Sequence, residues 1–234
     1  MVKFTLAKIF NLLFISFIFF GGIMKINYLG HASFLLQSKG GMGIVTDPYG
    51  DVGLVFPHVQ ADAVTISHSH FDHNNVGVVG GSPVVFGEAG SYSLGDVKIS
   101  AVERYHDEAQ GRKRGKNLVF SYEMDALKIC HLGDIGEPLT QELLAKIPPM
   151  DVLLIPVGGN YTIDALEAKK YVEAFAPKIV IPMHYAVDGL SVDISGVQPF
   201  LNLFENVEKA GSSLEISAKN LGEGTRVVYM ERVK

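Results

Sequence analysis

Six consecutive positions, His68-Ser69-His70-Phe71-Asp72-His73, carry four side chains able to ligate a metal, and they follow directly on the apolar run at 63–66. Successive side chains of a strand point to opposite faces, so an extended segment cannot aim all four at one point. A strand that ends and breaks into a loop can do so. The motif therefore demands a strand end just ahead of His68, with the following loop gathering His68, His70, Asp72 and His73 around one centre. Imidazole with carboxylate is a donor set that suits zinc. The plainer reading, a polar loop whose histidines cap a strand, suits a lone histidine better than a cluster this dense.

Four ligands leave a two-metal centre incomplete, and three further candidates sit past other apolar runs. His106 follows residues 97–102 within Arg104-Tyr105-His106-Asp107, Asp134 follows residues 127–132, and His184 follows residues 179–181 within Pro182-Met183-His184-Tyr185. The strand end is the edge at which α/β proteins build their sites.

A HxHxDH element followed at a distance by a His, an Asp and a last His resembles the metallo-β-lactamase superfamily, and the match spans most of the chain. The resemblance implies that His68, His70 and His106 hold one metal, that Asp72, His73 and His184 hold the other, and that Asp134 bridges both. Asp47, after the apolar residues 44–46, resembles the early Asp that supports the site from behind the ligands. The phrases Leu29-Gly30-His31-Ala32, Arg114-Gly115-Lys116-Asn117 and Pro156-Val157-Gly158-Gly159 resemble those of small hydrolases, whose relatives include ascorbate-6-phosphate lactonase and phosphodiesterases. Two Zn²⁺ per chain are the implied cofactors, and Mn²⁺ or Fe²⁺ can take the same donors. Several true β-lactamases use a Cys ligand, whereas the one Cys here, Cys130, lies inside an expected strand; this counts against antibiotic hydrolysis as the main activity. Redox di-iron relatives carry Glu where this chain keeps His70, which favours hydrolysis.

The implied chemistry is attack by a metal-activated water on an ester-type bond in a lactone, thioester or phosphodiester, with no Ser or Cys nucleophile. The resemblance gives Asp72 the catalytic role, binding metal and shuttling a proton. For substrate contacts the candidates are Tyr161, Tyr185 and Arg114, the last within the basic run Arg112, Lys113, Arg114 and Lys116. Half-buried tyrosines and a solvated loop are the plainer readings; a functional run implies an anionic small molecule. His31, His58 and His131 are placed outside the metal shell. The competing class is a metal-binding or scaffolding member without turnover, whose mark would be a cleft filled by residues 158–162.

Composition suits a single two-layered enzyme domain: 234 residues, 47% hydrophobic. With 20 basic against 25 acidic side chains the formal charge is −5, which disfavours nucleic acid as a partner. One Cys excludes an internal disulfide framework. No sequence feature sets the oligomeric state.

Residues 1–23 stand apart: Lys3 and Lys8 precede an apolar stretch broken by Asn11, Ser16 and two glycines. It reads as a signal-peptide core, as a membrane anchor, or as a segment upstream of a natural start at Met24. The expectation is that residues 24–234 form the metallo-hydrolase domain. A start at Met24 gives a cytoplasmic protein, and retention of 1–23 gives an anchored or exported one with a membrane partner.

Strands are expected at 25–28, 33–36, 43–46, 63–67, 84–86, 97–102, 118–122, 127–131, 152–155 and 179–181, and helices at 140–147, 163–175 and 199–209. Hairpins early and α/β alternation late indicate an α/β or α+β protein. The resemblance narrows this to an αββα sandwich, two mixed sheets with helices outside.

Overall fold

The computed structural model describes residues 23–234; apart from Ile23, the readings of residues 1–23 lie outside it. The strands are β1 (Met24–Gly30), β2 (Ser33–Gln37), β3 (Gly43–Thr46), β4 (Ala63–Thr65), β5 (Val84–Phe86), β6 (Gly90–Leu94), β7 (Val97–Tyr105), β8 (Lys116–Met124), β9 (Leu127–His131), β10 (Val152–Pro156), β11 (Ile179–Met183), β12 (Val207–Ala210), β13 (Ser213–Ile216) and β14 (Arg226–Met230). The helices are α1 (Gln141–Lys146), α2 (Ala165–Phe175) and α3 (Gln198–Leu201).

Two sheets result, one ordered β13-β1-β2-β3-β4-β5 and the other β12-β14-β11-β10-β9-β8-β7-β6. Both are mixed. The early strands pair as antiparallel hairpins, and β3, β4 and β5 then continue in parallel. In the larger sheet β6 to β9 are antiparallel, whereas β9, β10, β11 and β14 run parallel. Every residue of β10 and β11 is buried, as the near-continuous apolar runs of central parallel strands require. Between the sheets lies one core that includes Phe34, Phe120, Tyr122 and Ile155. Polar links cross it: Thr65 Oγ1 lies 2.7 Å from Tyr122 Oη, and Leu118 N donates to Ser67 O at 2.8 Å.

α2 follows from its sequence. Asp164 Oδ1 caps Glu167 N at 2.9 Å, Ala168, Tyr171 and Val172 form the buried stripe, and left-handed Ala176 ends it. The helix expected at 199–209 is corrected: helix persists only over α3, and the chain then extends into β12. Leu201, Phe204 and Val207 mimic helical spacing, but β14 offers an unpaired edge, and Val207 and Glu208 pair with Val227 and Val228. β6, β13 and β14 are strands the pattern did not reveal. No helix among the described residues is long and apolar enough to cross a membrane.

The parallel registers align the strand ends. Thr46 is opposite Thr65, which brings Asp47 beside the residues leading into His68. Pro156 is opposite Met183, which sets Val157 beside His184.

Candidate metal centre

Past β3 the chain turns at Asp47, a non-glycine residue with φ of 38°. Its buried carboxylate accepts from Ser67 N at 2.7 Å, from Ser67 Oγ at 2.6 Å and from His73 Nδ1 at 3.0 Å. Ser67 Oγ in turn lies 2.9 Å from His68 Nδ1. One residue thus orients two imidazoles through the nitrogens they do not present to the centre. Beyond His68 a tight turn, His73 N to His70 O at 3.0 Å, doubles the loop back on itself.

The other strand ends deliver the rest. β7 ends at Tyr105 and presents His106, the turn after β9 presents Asp134, and β11 presents His184. Asp134 N is held by Asn117 Oδ1 at 2.9 Å. A Cβ on Gly133 (φ 56°) would collide with that oxygen and lie 2.6 Å from Ser67 Cβ, so only glycine lets the turn approach this closely.

The candidate ligand atoms fall into three overlapping groups, each with its atoms within 4.8 Å of one another: His68, His70 and His106; His31, Asp72, His73 and His184; and His68, His73 and Asp134. Asp134 Oδ2 lies 3.2 Å from both His73 Nε2 and His184 Nε2, and 3.4 Å from His106 Nε2. All the ligand residues expected from sequence therefore meet at one place. His31, placed outside the shell by sequence, joins them: its Nε2 is 3.1 Å from Asp72 Oδ2, and its ring centroid is 4.3 Å from that of His184.

These donors fit a cation. His68 Nε2, His73 Nε2 and Asp134 Oδ1 are buried without a hydrogen-bond partner among the described residues, an arrangement that costs free energy unless something satisfies them. Burial lowers the His68 pKa to about 3, with the charge of His73 adding to the effect; this leaves the neutral imidazole that a metal ligand needs. Burial alone would also lower His73, yet Asp134, Asp47 and Asp72 hold its pKa well above the ordinary value. Burial would raise Asp134, but His184 and His73 keep it well below the carboxylate range. The cluster favours positive charge among ionised carboxylates.

A cavity of about 710 Å³ opens above this floor, lined by Asp72, His106 and Asp134 below and by Phe71, Arg114 and Tyr161 nearer its mouth. Tyr161 lines the cavity rather than filling it. Tyr185 is corrected as a substrate contact: it is 2% exposed and packs in the core, its ring 6.2 Å from those of Tyr28 and Tyr229. Of the basic run, Arg112 and Lys113 are exposed, Lys113 pairs with Glu108, and Lys116 pairs with Glu103 at 3.0 Å; only Arg114 faces this cavity. His131 is structural, donating from Nε2 to Ala32 O at 2.8 Å and accepting from Gly133 N at 3.1 Å. His58 is exposed.

Residues 25–184 match the family described as the β-lactamase superfamily domain. A relative from Carboxydothermus hydrogenoformans, named a UPF0173 metal-dependent hydrolase, is 29% identical over 238 residues, covering 88% of this chain and all (100%) of that protein. The crystal structure of a candidate Zn-dependent hydrolase of the metallo-β-lactamase superfamily from Thermotoga maritima superposes with a TM-score of 0.76 at 40% identity, covering 90% of this chain and 100% of that one. Igni18, a metallo hydrolase of Ignicoccus hospitalis, shares the fold at 21% identity, with a TM-score of 0.60 and coverage of 91% and 97%.

Proposed function

The chain belongs to the metallo-β-lactamase superfamily, and from that premise we propose that it is a metal-dependent hydrolase acting on an ester-type bond of a small molecule. The observation that carries this reading is the convergence of His68, His70, His106, Asp72, His73, His184 and Asp134 on the floor of an open cavity, with buried nitrogens lacking partners. In this reading His68, His70 and His106 would hold one ion, Asp72, His73 and His184 would hold a second, and Asp134 would be shared. Zn²⁺ suits the donor set, and Mn²⁺ or Fe²⁺ would fit it too. Ions held there would supply a nucleophilic water at neutral pH and polarise the scissile carbonyl or phosphoryl oxygen.

The chain's own groups orient and exchange protons. Asp47 fixes His73 and, through Ser67, His68, the carboxylate–histidine support that metal ligands use. Asp72, half-buried, lining the cavity and held as a carboxylate by His31 Nε2 at 3.1 Å, is placed to take a proton from the attacking water and pass it to the leaving oxygen. No side-chain nucleophile is called on: Cys130 is buried, and burial pushes its thiol up to about 12. The competing reading, metal binding without turnover, is disfavoured because residues 158–162 leave the cavity open. A lactone, a thioester or a phosphodiester is the bond class in view, since ions held at the floor would supply a nucleophilic water and electrophilic assistance without selecting the acyl or phosphoryl centre.

The test is elemental analysis of the purified chain with hydrolysis of a lactone, thioester and phosphodiester panel before and after chelation. About two ions per chain and chelator-sensitive turnover are expected. Metal without turnover on any panel member would favour the binding reading, and no metal after reconstitution would overturn the site.

A further inference from the structure

We propose that Arg114 reads a second, non-reacting oxyanion on the substrate, so that the preferred substrates are small ester-type molecules bearing a carboxylate or phosphate apart from the scissile bond. This rests on the hydrolase reading above and adds a substrate class to it.

Arg114 is the one Lys or Arg among the described residues lining the cavity over Asp72, His106 and Asp134. It also lines a second cavity of about 540 Å³ that shares His68's neighbours Ser69 and His70 with the first, so the guanidinium stands where the two meet. Its place is built. The guanidinium carbon sits 5.4 Å over the Tyr161 ring, and Nη2 donates to Asn160 O at 3.1 Å. Asn160, in the left-handed region at φ 61°, is itself tied by its side-chain amide to Asp193 O at 2.8 Å. Three loops are thereby joined at the rim.

The loop that carries Arg114 is fixed from below. The buried carboxylate of Asp107 accepts from the backbone N–H groups of Ala109 at 2.8 Å, Gly111 and Lys113 at 3.0 Å, and Arg114 at 2.8 Å. A guanidinium held this way loses little freedom on binding, which is the condition for converting a charged fork into selectivity.

The neighbouring cations are differently employed. Lys113 and Lys116 pair with Glu108 and Glu103, whereas Arg114 has no further side-chain hydrogen bond or ion pair among the described residues. The residue lines both cavities. The carboxylates that share the cavity do not consume it: Asp72 and Asp134 engage histidines, and Asp193 is exposed at the rim. Phe71, 63% exposed and lining the same cavity, offers an apolar surface for the segment between the reacting group and the second anion.

The test compares binding of glutarate and butyrate, acids that share one carboxylate and differ in the second, to the metal-loaded protein by calorimetry. Wild type is expected to bind glutarate about tenfold more tightly, the scale of one charge-assisted hydrogen bond. Arg114→Gln should bring the two acids to within about twofold with metal content unchanged, and Arg114→Lys should recover part of the preference. Equal binding in wild type, failure of both acids to bind, or a preference that survives Arg114→Gln overturns the proposal. Turnover on the panel without the preference removes the anion site alone; the preference without turnover removes the hydrolase reading and leaves the anion site.

Discussion

Replacing Asp47 by alanine separates a residue that holds metal from one that holds the holders. Asp47 is buried, and its carboxylate satisfies Ser67 N, Ser67 Oγ and His73 Nδ1 at 2.7, 2.6 and 3.0 Å. Removing it leaves the Ser67 amide and the His73 ring without an acceptor in a buried setting; at roughly 1–3 kcal/mol for each stranded donor, the metal-free fold should lose about 2–6 kcal/mol. Metal affinity should fall about 10–100-fold, because His73 and His68 both lose their orienting partners. Asn at 47 keeps the volume and one acceptor and tolerates the positive φ of 38°, so it should recover much of the stability and less of the affinity. Zinc competition against a chromophoric chelator measures the affinity, and urea melts of the metal-free protein measure the stability. An alanine variant that binds zinc as tightly as wild type would falsify the orienting role.

Asp134→Ala should lose metal and turnover together; full turnover with metal content unchanged, by elemental analysis and assay, refutes its proposed role as a shared ligand. Gly133→Ala sets a Cβ against Asn117 and Ser67 at a positive φ, and overpacking of this kind costs about 1–3 kcal/mol, seen as a lower melting temperature; an unchanged melt contradicts the close approach. Cys130 should resist alkylation at neutral pH in the native protein and react once unfolded. Its thiol ionises near 12 when folded against an ordinary value of 9.0, so above pH 9 the unfolded state loses the proton first and stability falls as pH rises; rapid native labelling would contradict its burial.

The residues that meet at the site are legible because their signal is local: donors crowd into His68–His73, and single donors follow apolar runs that had to be strands. His31 also follows an expected strand, at 25–28, but a lone histidine there does not mark itself as part of the cluster. It reaches the centre only because β1 and β11, from opposite sheets, end side by side, with His184 N donating to His31 O at 2.9 Å. That contact depends on inter-sheet packing, which no spacing in the chain encodes. Tyr185 failed for the converse reason: adjacency to His184 says nothing about which layer a side chain enters, and the turn at His184, φ 51°, sends Tyr185 into the core. The helix expected at 199–209 matched a three-residue period, but the open edge of β14 decided the outcome. Asp107 was visible only as the neighbour of His106, although an Asp ahead of Gly111 and Gly115 is the composition of a side-chain-capped loop. The floor of the site is thus set by strand ends whose order the topology dictates. The rim is set by loops joined through single contacts, Arg114 to Asn160 and Asn160 to Asp193. Substitutions at the rim should therefore alter which substrate is held while the ligand geometry stays intact, and substitutions at Asp47 or Gly133 should disturb the ligands whatever the substrate.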